Sequence, residues 1–420
     1  MEQAPSRKSH RYEISEAESR QLKAEYAQTM SMRAETAGSS VLHFFAQRAL
    51  SIPGTLLGAP QVPDCRSVKE RLTHWHFWWQ AHFLDCALDA SFRAHRHMDS
   101  SQATRWFERS QQILRGIRAR NFGLYTNTFY DDMAWLALAV GRMNALSELL
   151  YGRGYMPAQD AGVQLFKALR RGATDHLGGG MFWSTDHDFK NTPATAPAAL
   201  AFARAHQHDQ ARALVDWLQE NLWDEQRRAY LDGIKILSEQ SQLEDSLFSY
   251  NQGPILSALL EIHGVGMPLP DKVQDHISAL LEGIVEHFTE DFDISDTERL
   301  RILRTGKDGD GGLFTGILVR YLAQVALSAN VKESSRSLAG DLVVHTAEVL
   351  WEGRREFDPT LPVNEAGIDV REIRGEPVVL FSPDILQHSS QTLVPGAPVE
   401  LSSQLQGWMI LEAAARVLEQ

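Results

Sequence analysis

Four helix openings of unusual composition recur along this chain at intervals of about sixty residues, and that period constrains the fold more than any other feature. They lie near Tyr130, Asn191, Asn251 and Gly312. Each is built from Gly, aromatic and polar residues and runs directly into an apolar helix. Between them come plain amphipathic segments, Ser101–Ala119, Gln159–Arg171, Gln210–Leu222, Asp271–Phe288 and Ser335–Trp351, whose apolar residues return at helical steps. With Glu16–Leu50, Leu72–His95 and the C-terminal SQLQGWMILEAAARVL, the pattern makes about twelve helices in repeating pairs. A helical hairpin cannot bury both of its faces alone, so such pairs stack, and six of them can close into a ring with an inner and an outer layer. The expected fold is all-α: an (α/α)6 barrel of six helical hairpins over residues 16–420, preceded by a polar, disordered tail at 1–15. An open solenoid with the same period is the structural alternative. Strands play little part. Ala229–Leu237 and Arg371–Phe381 are the two places for short hairpins, and Pro359–Glu400 reads as irregular.

If the ring closes, the inner-helix openings gather at one end. The opening at Gly123–Met143, GLYTNTFYDDMAWLALAVGRM, then matters most. Asp131 and Asp132 stand side by side at a helix start, framed by Phe129, Tyr130 and Trp135. Two ordinary explanations compete with a chemical one: Thr128 and Asp131 fit a capping box, and acids in a first turn suit the helix dipole. The same end collects Trp78, Trp79, His82, Trp183, Asp186, Lys190, Asn191, Tyr250, Asn251, Gln252 and Asp310. Aromatic rings cover the apolar faces of pyranoses, and amides and carboxylates bond their hydroxyls, so the mixture suits a sugar. Other readings stand beside several of these residues. Lys190 and Asn191 can instead anchor their loop through backbone carbonyls, Tyr250 to Gly253 can form a cap, and His82 can be a hydrogen-bonded histidine inside the barrel.

Composition removes other classes of function. The net charge is -13 with no long Lys/Arg cluster, which argues against nucleic acid and anionic membranes as partners. Two cysteines, Cys65 and Cys86, make neither a disulfide framework nor a four-ligand zinc set. His74, His76 and His82 lack the spacing of a metal motif, and the glycines around Asp308 and Asp310 lack the later ligands of a calcium loop. No metal or cofactor is expected. The N-terminal residues contain no apolar leader and no apolar run is long enough to span a bilayer, so the expectation is a soluble cytoplasmic protein. Nothing in the chain indicates an oligomeric state.

The stretches FYDDMAW, GGGMFWSTDHDFKNTPATAPAA, SYNQG and GLFTGILVRYL occur in this order. Together they resemble glycoside hydrolase family 76, the α-1,6-mannanases, from about Trp75 to the C-terminus. The resemblance implies an (α/α)6 barrel and a retaining, endo-acting hydrolase of α-1,6-mannosidic linkages, acting on a neutral mannan-type oligo- or polysaccharide. It also implies Asp131 as nucleophile and Asp132 as acid/base, a pair whose carboxyl groups retention requires to lie about 5–5.5 Å apart. Transglycosylation belongs to a fungal branch of the same family. Two alternatives use the same helical array: a sugar epimerase, working through His82 and His187, or an unsaturated-uronide hydrolase, and a carbohydrate-binding protein without turnover.

Overall fold

The computed structural model describes residues 16–237, 240–264, 267–295, 299–306, 308–357, 378–394 and 396–420. The expected disordered tail at 1–15 and the first part of the expected hairpin at Arg371–Phe381 lie outside the described residues.

Fourteen helices are present among the described residues. In chain order they are α1 (Glu16–Phe45), α2 (Val68–Thr73), α3 (Phe77–Arg96), α4 (Ser100–Arg120), α5 (Tyr130–Tyr151), α6 (Met156–Gly172) and α7 (Thr192–Arg204). They continue with α8 (His208–Asn221), α9 (Ser249–His263), α10 (Asp271–Phe288), α11 (Gly311–Leu327), α12 (Glu333–Glu352), α13 (Ser389–Thr392) and α14 (Leu401–Leu418). Six of them, α3, α5, α7, α9, α11 and α14, pack side by side in that order, and α14 returns to α3. The inner ring is closed, so the fold is the all-α barrel and not an open solenoid. Each inner helix is backed by an outer one: α4, α6, α8, α10 and α12 follow their partners in sequence, while α14 is backed by α1 from the other end of the chain.

The two layers follow from side-chain pattern. In α7, every residue from Thr192 to Ala203 is buried, whereas in α8 only Ala211, Leu214, Val215, Trp217 and Leu218 are. A helix apolar on all sides belongs inside, and a striped helix belongs outside. Inner helices begin at one end of the barrel and finish at the other. Trp78, Asp131, Asn191, Tyr250 and Asp310 therefore share one end, and Arg96, Arg204, Glu261 and Leu327 share the opposite end.

Three local expectations change. Leu72–His95 is not one helix: α2 stops at Thr73, His76 takes a left-handed φ of 51°, and α3 starts at Phe77. Trp75 thus lies outside α3, the helix that carries Trp78 and Trp79. Thr128 is not a cap either, since the N-cap position of α5 is Phe129, whose side chain makes no capping bond. The Ala229–Leu237 hairpin forms differently: Gly233–Ile236 pairs with Phe189–Asn191 on one side and Ser241–Glu244 on the other. The hairpin of Thr289–Asp293 with Arg299–Leu303 was not expected, although Leu300 and Ile302 alternate with Arg299 and Arg301. Val378–Leu380, in the segment read as irregular, pairs with Arg355–Phe357.

Halfway down, the barrel is floored by charge. Arg142 on α5 and Arg320 on α11 each bridge both Asp85 and Asp89 on α3. Burial pushes the Asp85 carboxyl up, but Arg142 and Arg320 outweigh it and hold it below the ordinary value. A cavity of about 780 Å³ lies on the far side of this floor, lined by Phe92, Leu149, Leu260 and the floor residues. Among the described residues no helix is long and apolar enough to cross a membrane.

Candidate active site

Asp131 and Asp132 occupy the first turn of α5. The loop before them is tied down by Asn127. Its amide oxygen accepts the Phe129 N–H at 3.0 Å, and its amide nitrogen donates to Asp132 Oδ2 at 2.5 Å. The Trp183 indole donates to Asp131 Oδ2 at 3.0 Å, and the Asp132 backbone N–H donates to Asp131 Oδ1 at 2.9 Å. Both oxygens of Asp131 thus receive a donor, one from a loop 52 residues away in sequence.

These unlike surroundings separate the two acids. Burial raises the affinity of Asp131 for its proton to about pKa 7, with Asp310 adding to it, while the Asp132 N–H and the Trp183 indole pull the other way. Asp132, 8% exposed, is pushed well above the ordinary carboxylate range by burial first and then by the neighbouring charge of Asp131, against one amide donor from Asn127. A proton shared by the pair rests more readily on Asp132, although such a coupled pair titrates as a unit.

The rim holds the sugar-suited side chains that remain open to solvent. Trp183 is 38% exposed and its ring tilts against Phe129 at 5.0 Å. Tyr250 stacks on Phe314 at 4.0 Å, with Trp78 at 6.5 Å from Tyr250. Asp310 accepts both tryptophan indoles of α3, from Trp78 at 3.2 Å and from Trp79 at 2.9 Å. Asp186 is exposed in the loop after Trp183.

Six residues expected to touch substrate are turned inward instead. Lys190 is fully buried, and the three N–H groups of its ammonium are shared among five acceptors within hydrogen-bond distance: Thr174 O and Oγ1, His176 O, Gly179 O and Gly180 O. It is the post on which the GGG loop hangs, the anchoring alternative weighed from the sequence. Gln252 is equally enclosed, with both ends of its amide bonded to the Tyr230 backbone. Asn191 caps α7 by accepting the Ala194 N–H at 3.1 Å. Tyr130 lies against Gly172, where an added Cβ would come within 2.6 Å of its ring. Trp79 is 2% exposed and stacked on His76 at 3.9 Å. His82, 3% exposed, packs against Trp135 and points Nδ1 at Arg320, while burial and then Arg320 hold its pKa well below the ordinary histidine value. Asn251 is also buried, but it reaches the site through Asp232, to which it donates at 3.1 Å.

Sequence reasoning missed Asp232, Asn127 and Phe314. Asp232 is raised to about pKa 6, by burial first and against the Asn251 bond, and its charge reaches Tyr250 together with those of Asp131 and Asp310. It sits between two short strands with no motif around it. Asn127, in the Thr-Asn-Thr run before the acids, was legible as a turn former. Among the described residues no group of three or more His, Cys, Asp or Glu could hold a metal ion.

Comparison with known proteins identifies the family. The family model for glycosyl hydrolase family 76 matches residues 30–358. A search of curated proteins finds no match. Among solved structures, the GH76A α-1,6-mannanase from Salegentibacter sp. HEL1_6 is 25% identical, with a TM-score of 0.69, covering 92% of this chain and 99% of that one. An inactive variant of that enzyme with two consecutive Asp-to-Asn replacements, in complex with α-1,6-mannotriose, superposes with a TM-score of 0.70 at 23% identity, covering 92% of this chain and 99% of that one. Dfg5 from Chaetomium thermophilum, in complex with glucosamine, shares the fold at 16% identity and a TM-score of 0.60, covering 97% of this chain and 92% of that one. With most of its length matched to one family and its ring of helices shared with that family's solved members, the chain belongs to glycosyl hydrolase family 76 and is a glycoside hydrolase.

Proposed function

We propose that this hydrolase cleaves α-1,6-mannosidic linkages with retention, using Asp131 as nucleophile and Asp132 as general acid/base. The unequal hydrogen bonding of the two acids carries the reading. Asp131 receives the Trp183 indole and the Asp132 N–H, donors that favour a carboxylate. Asp132 receives one amide, from Asn127, and sits beside a negative charge that favours its protonated form. In the first step Asp131 attacks the anomeric carbon while Asp132 protonates the departing glycosidic oxygen. In the second, Asp132 takes a proton from water, which displaces Asp131 from the glycosyl-enzyme. Trp78, Trp183 and Tyr250 offer ring faces to the sugar, and Asp186 and Asp232 supply acceptors for its hydroxyls.

The mannan-type substrate is supported by the α-1,6-mannotriose bound to the inactive Salegentibacter variant. The epimerase alternative loses support because His82 is enclosed and faces Arg320.

Asp131→Asn and Asp132→Asn should each keep the melting transition of a folded protein while lowering kcat/KM on α-1,6-mannooligosaccharides by roughly a thousandfold or more. NMR of the first product should show the α-anomer. Parent-like turnover by both variants, or a β-anomer from the parent, defeats the reading. Disaccharide or longer products formed with added mannose acceptors would mark transglycosylation.

A further inference from the structure

Asp310 was read from the sequence as an acid that meets the sugar. Its bonds in the fold point to a different task. It stands immediately before α11 and makes no capping bond to that helix. Oδ1 instead accepts two indole N–H groups from consecutive residues of α3, across the ring. Trp79 is enclosed and stacked on His76. Trp78 is half-buried, with one edge toward His82 and its flank beside Tyr250 and Phe314. Asp310 is thus a bracket between an enclosed indole and one that borders solvent.

The bracket is itself fastened. Gly309 takes a φ of 61°, a left-handed conformation that glycine adopts without steric cost. Its N–H donates to Glu400 Oε2 at 2.6 Å. A Cβ on Gly306 would lie 2.2 Å from the Gly311 carbonyl, so the turn is closed tightly on itself. Fixation therefore runs from Glu400 through the Gly309 backbone to the Asp310 carboxylate and on to the Trp78 ring.

We propose that Asp310 is a positioning residue for Trp78, clamping the two α3 indoles so that the Trp78 ring stands as a preset wall of the sugar site. An aromatic wall that is ordered before binding does not charge the ligand for its ordering. This rests on the sugar-site reading above, since it assigns Trp78 to substrate.

The test uses protein labelled with ¹⁵N-tryptophan, with Trp78→Phe and Trp79→Phe identifying the two indole resonances. In Asp310→Ala both resonances should move to the positions of weakly bonded indoles, and KM for α-1,6-mannotriose should rise by roughly fivefold, the scale of one aromatic contact, with a smaller change in kcat. Asp310→Asn keeps a carbonyl oxygen in place and should restore both the resonance positions and KM. Unmoved indole signals in Asp310→Ala would overturn the clamp. So would an equal rise in KM for the Ala and Asn variants with the signals in place, which would make Asp310 a direct sugar ligand. If the parent does not turn over mannotriose, the indole signals still decide for or against the clamp, while the substrate reading fails separately.

Discussion

The two aspartates of α5 are stored in an unfavourable state, and that has a measurable consequence for stability. Both carboxyl groups hold their protons above the ordinary value of 3.8, chiefly because they are buried. The folded chain therefore binds more protons than the unfolded one between that value and the raised ones, and stability falls as pH rises through this window. Asp132→Asn removes the more strongly shifted group and leaves an amide oxygen for Asn127 to bond. The variant should be more stable than the parent by about 1–3 kcal/mol near pH 8, and the gain should vanish near pH 4. Thermal melts at the two values check this, and a variant less stable than the parent at pH 8 would contradict it. The adjacency of the acids was legible because neighbours in sequence are neighbours in space. Their inequality was not, because it depends on Trp183, brought in from a separate loop.

At the scale of elements, the inner helices are shaped for close approach. A Cβ on Gly316 of α11 would come within 2.9 Å of the Gln406 Cα on α14, and the Gln406 side-chain oxygen accepts the Thr315 N–H at 3.1 Å. Gly316→Ala should push the two helices apart and cost about 1–3 kcal/mol, seen as a lower Tm with helical content retained. A Tm equal to the parent's would show that the contact relaxes freely. Proline marks two more inner helices. Pro197 in α7 and Pro254 in α9 sit at matching places, the sixth residue of each helix, and each leaves the carbonyl four residues back without its helical N–H. The repeat of glycine, aromatic and polar openings was the part of the barrel most visible in sequence. The break before α3 was hidden, since the left-handed φ at His76 has no glycine to announce it.

For the whole molecule, the charged floor joins three walls of the ring. Arg320 reaches Asp85 and Asp89 at 2.8 Å each, and Arg142 bonds the same two acids. Such a network contributes little net energy over apolar packing, yet breaking it leaves buried charge uncompensated. Arg320→Met keeps much of the volume and should destabilise the protein by about 3–5 kcal/mol, measured by urea unfolding. Parent-like stability would mean that Arg142 alone suffices. Asp85 and Asp89 stand one helical turn apart in the sequence, but their partners lie 53 or more residues away, and no spacing rule reaches that far.

By itself the sequence determined the helices, their pairing and the end of the barrel at which chemistry-bearing side chains collect, because those follow from periodicity and from what stands at each helix opening. Tertiary structure decided which of those side chains stay open at that end and which turn inward. Lys190, Gln252 and Asn191 carry groups as polar as Asp186 or Asp310, but the nearby backbone presents bare carbonyls and N–H groups that had to be bonded. A buried backbone group left without a partner costs more than a lost contact to ligand, so these three side chains were drawn inward.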